Sequence, residues 1–213
     1  MKKMILVQFQ IPMPDRFWEW APKARRYRDP ATGRFVARDT IRRGLDDLIQ
    51  DSQGRVSEAS DLLRSGQIEL AEWQMIMREE IKRTQLGAQA LLRGGWKQMT
   101  EADYAVVAER IRAQYEFLHH FTVRLRDGTV RTDGNFMNRA RLYPASARVG
   151  YHEDEQGLVL ESGYTRELNV LHPAEHCFEC VECANRGWVP IGANPPIGSR
   201  KCLGNDRCTM RFR

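Results

Sequence analysis

The stretch LAEWQMIMREEIKRTQLGAQALLRGG, residues 70–95, decides the fold class. Leu70, Trp73, Met77, Ile81, Thr84, Ala88 and Leu91 recur every three or four residues, which gathers them on one helical face. Gly94-Gly95 ends the stripe as a C-terminal stop. Upstream, Ile41, Leu45, Leu48, Ile49, Val56, Ala59, Leu62 and Leu63 keep the same spacing, with Asp39 or Thr40 as expected N-cap and Gly54 as an expected break. Downstream, Thr100-Glu101-Ala102-Asp103 reads as a capping box with Asp in the usual Glu place. It opens a third stripe, Tyr104, Val107, Ala108, Ile111, Tyr115, Leu118, Thr122 and Leu125, stopped by Asp127-Gly128. Three such helices joined by short connections pack most simply as an antiparallel bundle.

Outward from this centre the patterns change. A fourth helix is expected over Asn135–Ala147 with Phe136, Ala140 and Tyr143 inward, kinked or restarted by Pro144. After Gly150 the period fails: His152–Glu155 reads as a solvated stretch, with short strands expected over Leu158–Glu161 and Glu167–Leu171. Residues 1–38 read as an extended arm, β-prone from Ile5 to Ile11 and then denied a long helix by Pro12, Pro14, Pro22 and Pro30. Phe17, Trp18, Trp20 and Tyr27 alternate there with Arg16, Lys23, Arg25, Arg26 and Arg28. Aromatic residues on an arm without its own core pack elsewhere, on the chain's own helices or on a neighbouring subunit. Trp18, Trp20, Arg25, Arg26 and Tyr27 are therefore the candidate partner-binding residues. The expected fold is mainly α: an extended basic-aromatic arm (1–38), a helical bundle (39–150) and a small Cys-rich, loop-dominated C-terminal lobe (151–213).

Composition bounds the function. The 213 residues hold 33 Lys+Arg, 28 Asp+Glu and 42% hydrophobic side chains, enough for a core. A mean hydropathy of −0.57, with no long apolar run, excludes a membrane-spanning helix. The opening Met1–Pro12 imitates a signal peptide only faintly, since Gln8 and Gln10 break its apolar run, and is read as mature chain. The net charge of +5 is segregated: +7 over residues 1–43, −5 over 44–176 and +3 over 177–213. Basic ends suit nucleic acid or an acidic protein surface equally.

All five cysteines fall between Cys177 and Cys208. Cys177-Phe178-Glu179-Cys180 is a Cys-x2-Cys knuckle, and Cys202 and Cys208 supply a second pair that completes a tetrahedral thiolate site. Cys183 or His176 is a substitute ligand, and His172 a further one. The loop from Ala184 to Lys201, rich in Pro and Gly, cannot build a core alone, so a structural zinc would account for its order. Disulfides or free thiols are the alternatives, the odd count weighing against full pairing. No G-x-S-x-G, P-loop, H-E-x-x-H or G-x-G-x-x-G occurs. His119-His120 reads as helix surface, and the adjacent pairs Asp46/Asp47 and Glu79/Glu80 diverge on a helix. No catalytic residue is assigned and no enzymatic activity is expected.

The run from Leu168 to Cys180, including His172-Pro173-Ala174-Glu175-His176, then Gly187–Gly192, Pro195–Gly198 and Cys202–Cys208, resembles the C-terminal segment of bacteriophage head-morphogenesis proteins, the Mu-like minor head proteins. Asp206-Arg207-Cys208 stands where that family often carries Cys-Arg-Cys. The resemblance implies a structural virion protein of a tailed phage, assembled in the host cytoplasm and acting in head assembly as a minor head or portal-proximal component. Its implied partners are the phage portal or connector and capsid proteins, with contact to packaged DNA and no membrane. The alternative is a nucleic-acid-binding zinc protein.

Overall fold

A computed structural model describes residues 18–213; the β-prone run Ile5–Ile11, Arg16 and Phe17 lie outside the described residues. Helix α1 (Arg38–Arg64) and α2 (Leu70–Arg93) run antiparallel, as Trp73 Nε1 donating to Ser60 at one end and Leu91 lying where a Cβ on Gly44 would meet it at the other require. Helix α3 (Glu101–Arg126) returns along α2: Asp103 meets Gln89 and Arg93, and the Tyr115 hydroxyl donates to the Arg78 carbonyl. The Thr100/Asp103 capping box forms as expected, and Asp103 also accepts from Gln89 Nε2 (2.9 Å) and Arg93 Nε (2.8 Å). One carboxylate thus starts α3 and fixes it to the end of α2. No helix among the described residues is long and apolar enough to cross a membrane.

Two helix details differ from expectation. Gly54 does not break α1, because one exposed glycine costs only about 1 kcal/mol against alanine, less than the buried Ser52 and Val56 beside it return. Helix α1 starts after an Ala37 N-cap with no side-chain bond, so neither Asp39 nor Thr40 caps it. Asp39 instead sits in the first turn, where its charge suits the positive end of the helix.

Helix α4 (Gly134–Ala145) is capped by Asp133, and Pro144 ends it as expected; α5 (Ala147–Glu161) restarts at once. Here the reading of residues 150–161 is corrected. His152–Glu155 is helical, and His152 and Glu155 are buried; Leu158–Glu161 is the last turn of α5 rather than a strand. The expected boundary at 150/151 consequently falls inside one helix. The face that α5 buries contains charge, which an apolar-period reading passes over. Glu155, 1% exposed, accepts from Arg42 Nη2 (3.1 Å) and lies 3.2 Å from His152 Nδ1, while Arg38 approaches to 3.8 Å. Arg42 Nη2 also donates to the Met210 carbonyl (2.7 Å).

The arm turns back on the bundle. β1 (Glu19–Ala21), β2 (Arg26–Arg28) and β3 (Phe35–Val36) form an antiparallel sheet with Trp20 opposite Tyr27 and Tyr27 opposite Val36. Tyr27, 1% exposed, joins Ile41, Leu45, Leu91 and Tyr151 in the core, with Trp18 and Trp20 packed against them, and its hydroxyl donates to the Leu92 carbonyl (2.9 Å). Gly94 allows this approach. Its φ of +90° suits glycine, and a Cβ there would collide with the Trp18 carbonyl. A second apolar cluster centres on Trp73, Met77, Phe121 and Phe136 between α1, α2, α3 and α4.

The C-terminal lobe is a second antiparallel sheet, in the order β5 (Val189–Pro190), β4 (Arg166–Val170), β6 (Thr209–Phe212), with α6 (Phe178–Asn185) beside it. Strand β4 matches the expected Glu167–Leu171 run to within a residue.

Candidate metal centre

Cys177 is the N-cap of α6, and Cys180 lies one turn on, so i,i+3 geometry presents both thiols at the same helix end. The Sγ atoms of Cys177 and Cys180 lie 3.6 Å apart, as do those of Cys180 and Cys202. Cys177, Cys180 and Cys202 form a group whose ligand atoms all lie within 4.8 Å of one another; Cys180, Asp206 and Cys208 form another. Cys180 is common to both, so Cys177, Cys180, Cys202 and Cys208 cluster around it and can hold a metal ion. Tetrahedral zinc with Zn–S bonds of roughly 2.3 Å sets its sulfurs about 3.8 Å apart, close to the separations present. A disulfide needs roughly 2.05 Å. All five cysteines are free thiols.

The substitutes are placed differently. Cys183 is buried on α6 but belongs to neither group. His176 Nε2–H donates to the His172 carbonyl (2.6 Å), and its Nδ1 lies 3.9 Å from Cys208 Sγ. His172 turns away, its Nε2 pairing with Thr209 Oγ1 at 2.9 Å.

Burial opposes several thiolates side by side. It pushes Cys180 and Cys202 up to about 12 and Cys208 to about 11, the last helped by the Asp206 charge. Cys177 moves the other way, to about 7, because the Cys202 thiol hydrogen-bonds to it. A divalent cation reverses this order by binding the thiolates directly.

The supporting shell was not read from the sequence. Arg200 is 1% exposed; its Nη1 donates to Asn169 Oδ1 (2.7 Å) and lies 3.8 Å from Cys180 Sγ and 3.9 Å from Asp206. Asp206 accepts from the backbone N–H groups of Cys208 (3.0 Å) and Gly198 (3.3 Å), contacts that hold its carboxyl below the ordinary range. Asn169 Nδ2 donates to the Cys180 carbonyl (3.1 Å). Buried Glu167 accepts from Gln156 Nε2 and the Asn194 N–H, both at 2.8 Å, tying the Pro/Gly loop to β4 and α5. Asp206, two residues before Cys208, carried the one local signal, an aspartate placed to bond its own backbone two residues on.

Of the residues proposed for partner binding, Tyr27 is buried and Trp18 and Trp20 are half-buried against the bundle, so these three rings pack within the chain. Arg25 and Arg26 remain exposed, stacked over Tyr164 (5.2 Å) and Phe35 (5.5 Å). No protein-family model, curated protein or solved structure matches this chain.

Proposed function

We propose that this chain is a structural virion protein of a tailed phage, a minor head or portal-proximal component, with one structural zinc held by Cys177, Cys180, Cys202 and Cys208. The observation that carries this reading is the convergence of these cysteines, 31 positions apart at the extremes, within the segment that resembles Mu-like minor head proteins. Four soft thiolates would close a tetrahedral shell and leave no position for substrate or activated water, so the metal's work is to hold the loop. The role is architectural and non-enzymatic: Arg200 and Asp206, the charged groups nearest the sulfurs, are buried and committed to loop and ligand contacts. The partners are the portal or connector and capsid proteins, reached through exposed groups such as Arg25 and Arg26 rather than through Tyr27.

Native mass spectrometry of the purified chain should show one zinc per chain, and a reconstruction of the particle's head-to-tail vertex should contain it at low copy number. A metal-free protein with intact disulfides would remove the zinc. A chain traced in the tail, or in the general shell lattice, would remove the head-vertex role.

A further inference from the structure

A groove of about 840 Å³ runs between α1, α4 and the loop that bears Cys202. Its cationic lining is Arg139, Arg141, Arg148, Lys201 and Arg207, against a single acid, Asp46, which Arg148 Nη1 already pairs at 2.5 Å. The side chains of Arg141, Lys201 and Arg207 are exposed and have no ion-pair partner among the described residues. A surface that gathers like charge without compensation is destabilising unless something of opposite sign occupies it.

The neutral lining adds hydrogen-bonding groups of both kinds. Gln50, Asn135, Asn138 and Asn205 also face the groove. Each amide offers both a donor and an acceptor. Phosphates and carboxylates both take the cationic donors; the amides can in addition meet the base edges of a nucleic acid, which present donors and acceptors along its grooves. Lys201 and Arg207 flank Cys202 and Cys208 in sequence, and the Leu203–Asn205 turn sits close on α4, where a Cβ at Gly204 would come 3.0 Å from that of Ala145. The cysteine centre therefore forms one wall of the groove and fixes two of its cations.

We propose that this groove binds the phosphate backbone of nucleic acid. Naming duplex DNA as the nucleic acid rests on the head-protein reading; the groove's polyanion chemistry does not. The test is fluorescence anisotropy with a labelled 30-base-pair duplex between 50 and 200 mM salt, on the full zinc-loaded chain. The variant Arg141→Gln/Lys201→Gln/Arg207→Gln changes only exposed, unpaired side chains. An equal-charge control, Arg112→Gln/Arg124→Gln/Arg126→Gln, lies on exposed positions of α3.

Each phosphate contact contributes about −0.9 to the slope of log affinity against log salt. Losing three contacts should make the groove variant's slope shallower by about 2.7, so wild type loses about 40-fold more affinity than the variant across that range. The control should keep the wild-type slope. Equal losses in both variants, no binding at 50 mM salt, or displacement of DNA by poly-glutamate at equal charge concentration would each overturn the proposal. The assay does not depend on where the chain sits in a particle. A vertex location without DNA binding therefore sinks the groove alone, and groove binding without a vertex location sinks the head-protein reading alone.

Discussion

Replacing Glu155 with Gln keeps the shape of a buried side chain and deletes its charge. Three cationic or titratable groups face that carboxylate: Arg42 and Arg38 of α1, and His152 one turn back on α5. Arg148 adds positive potential, and the Tyr27 and Tyr151 hydroxyls lie in the same environment. Although burial alone would raise it, the Arg42 cation, the hydrogen bond from His152 and the Arg38 cation hold the Glu155 carboxyl down to about 2 from the ordinary 4.5. That difference corresponds to roughly 3 kcal/mol at neutral pH. Leaving a buried charge unpaired costs roughly 3–5 kcal/mol, an independent route to the same size. The sign follows from the depressed folded value: the contribution is fully present above the unfolded pKa and is lost as pH falls from 4.5 toward 2. His152 works in the same direction at higher pH, since burial lowers its pKa and the unfolded chain takes up a proton below about 6.5 that the folded chain resists. Urea unfolding followed by far-ultraviolet circular dichroism should show wild-type stability declining from pH 7 to pH 2. Glu155→Gln should lie roughly 3 kcal/mol lower at pH 7 and show a shallower slope between pH 4.5 and 2, the remainder coming from other depressed carboxyls such as Asp206 and Asp103. A variant within 1 kcal/mol of wild type at pH 7, with that acid slope intact, would refute the reasoning.

Two further outcomes follow from the packing. Tyr27→Phe should cost about 1 kcal/mol for the bond to Leu92, and Tyr27→Ala roughly 3–5 kcal/mol as the ring leaves the core; an alanine variant that melts like wild type would mean the sheet carries no bundle stability. Cys202→Ser should abolish zinc retention and raise hydrogen exchange across residues 177–208 while α2 and α3 stay protected, whereas uniform loss of protection would show that the bundle depends on the centre.

The helices α1, α2 and α3 were legible because their buried faces are apolar and regularly spaced, and because Gly94 and Thr100/Asp103 mark ends by local chemistry. The burial of α5 was not legible, because its inward face includes His152 and Glu155, and the Glu155 partners Arg38 and Arg42 lie more than 110 positions away. A charged residue reads as solvated until its counter-charge is seen. The same reason hid Glu167 and Arg200, both fully buried and both satisfied by loop backbone. The cysteine set was legible by spacing, but the short helix that presents Cys177 and Cys180 was not, since eight residues hold too little period to register. The arm's two alternatives were fairly balanced in the sequence. Gly94 decides between them, and its role there depends on Trp18, 76 positions earlier.

These long-range charges also determine how far a disturbance at the cysteines travels. Strand β6 starts one residue after Cys208 and pairs with β4 through four residue pairs, from Glu167–Phe212 to Val170–Thr209, none of which involves a cysteine. The Met210 carbonyl of that strand accepts from Arg42, which also pairs with Glu155 and, at 3.5 Å, with Asp39. The sheet is therefore held from two sides, by sulfur chemistry at one end and by the bundle's buried ion pair at the other. If the proposed zinc is bound, its loss would free the Cys202 loop and its groove cations but leave β6 anchored through Arg42. Loss of Glu155 would loosen Arg42 while the proposed zinc would still hold Cys208. Combining Glu155→Gln with Cys202→Ser should consequently cost more than the sum of the single changes, because only the double variant leaves β6 without either anchor. Strict additivity in urea unfolding would mean that the β4–β6 ladder alone secures the strand, and that the two anchors act on separate parts of the lobe.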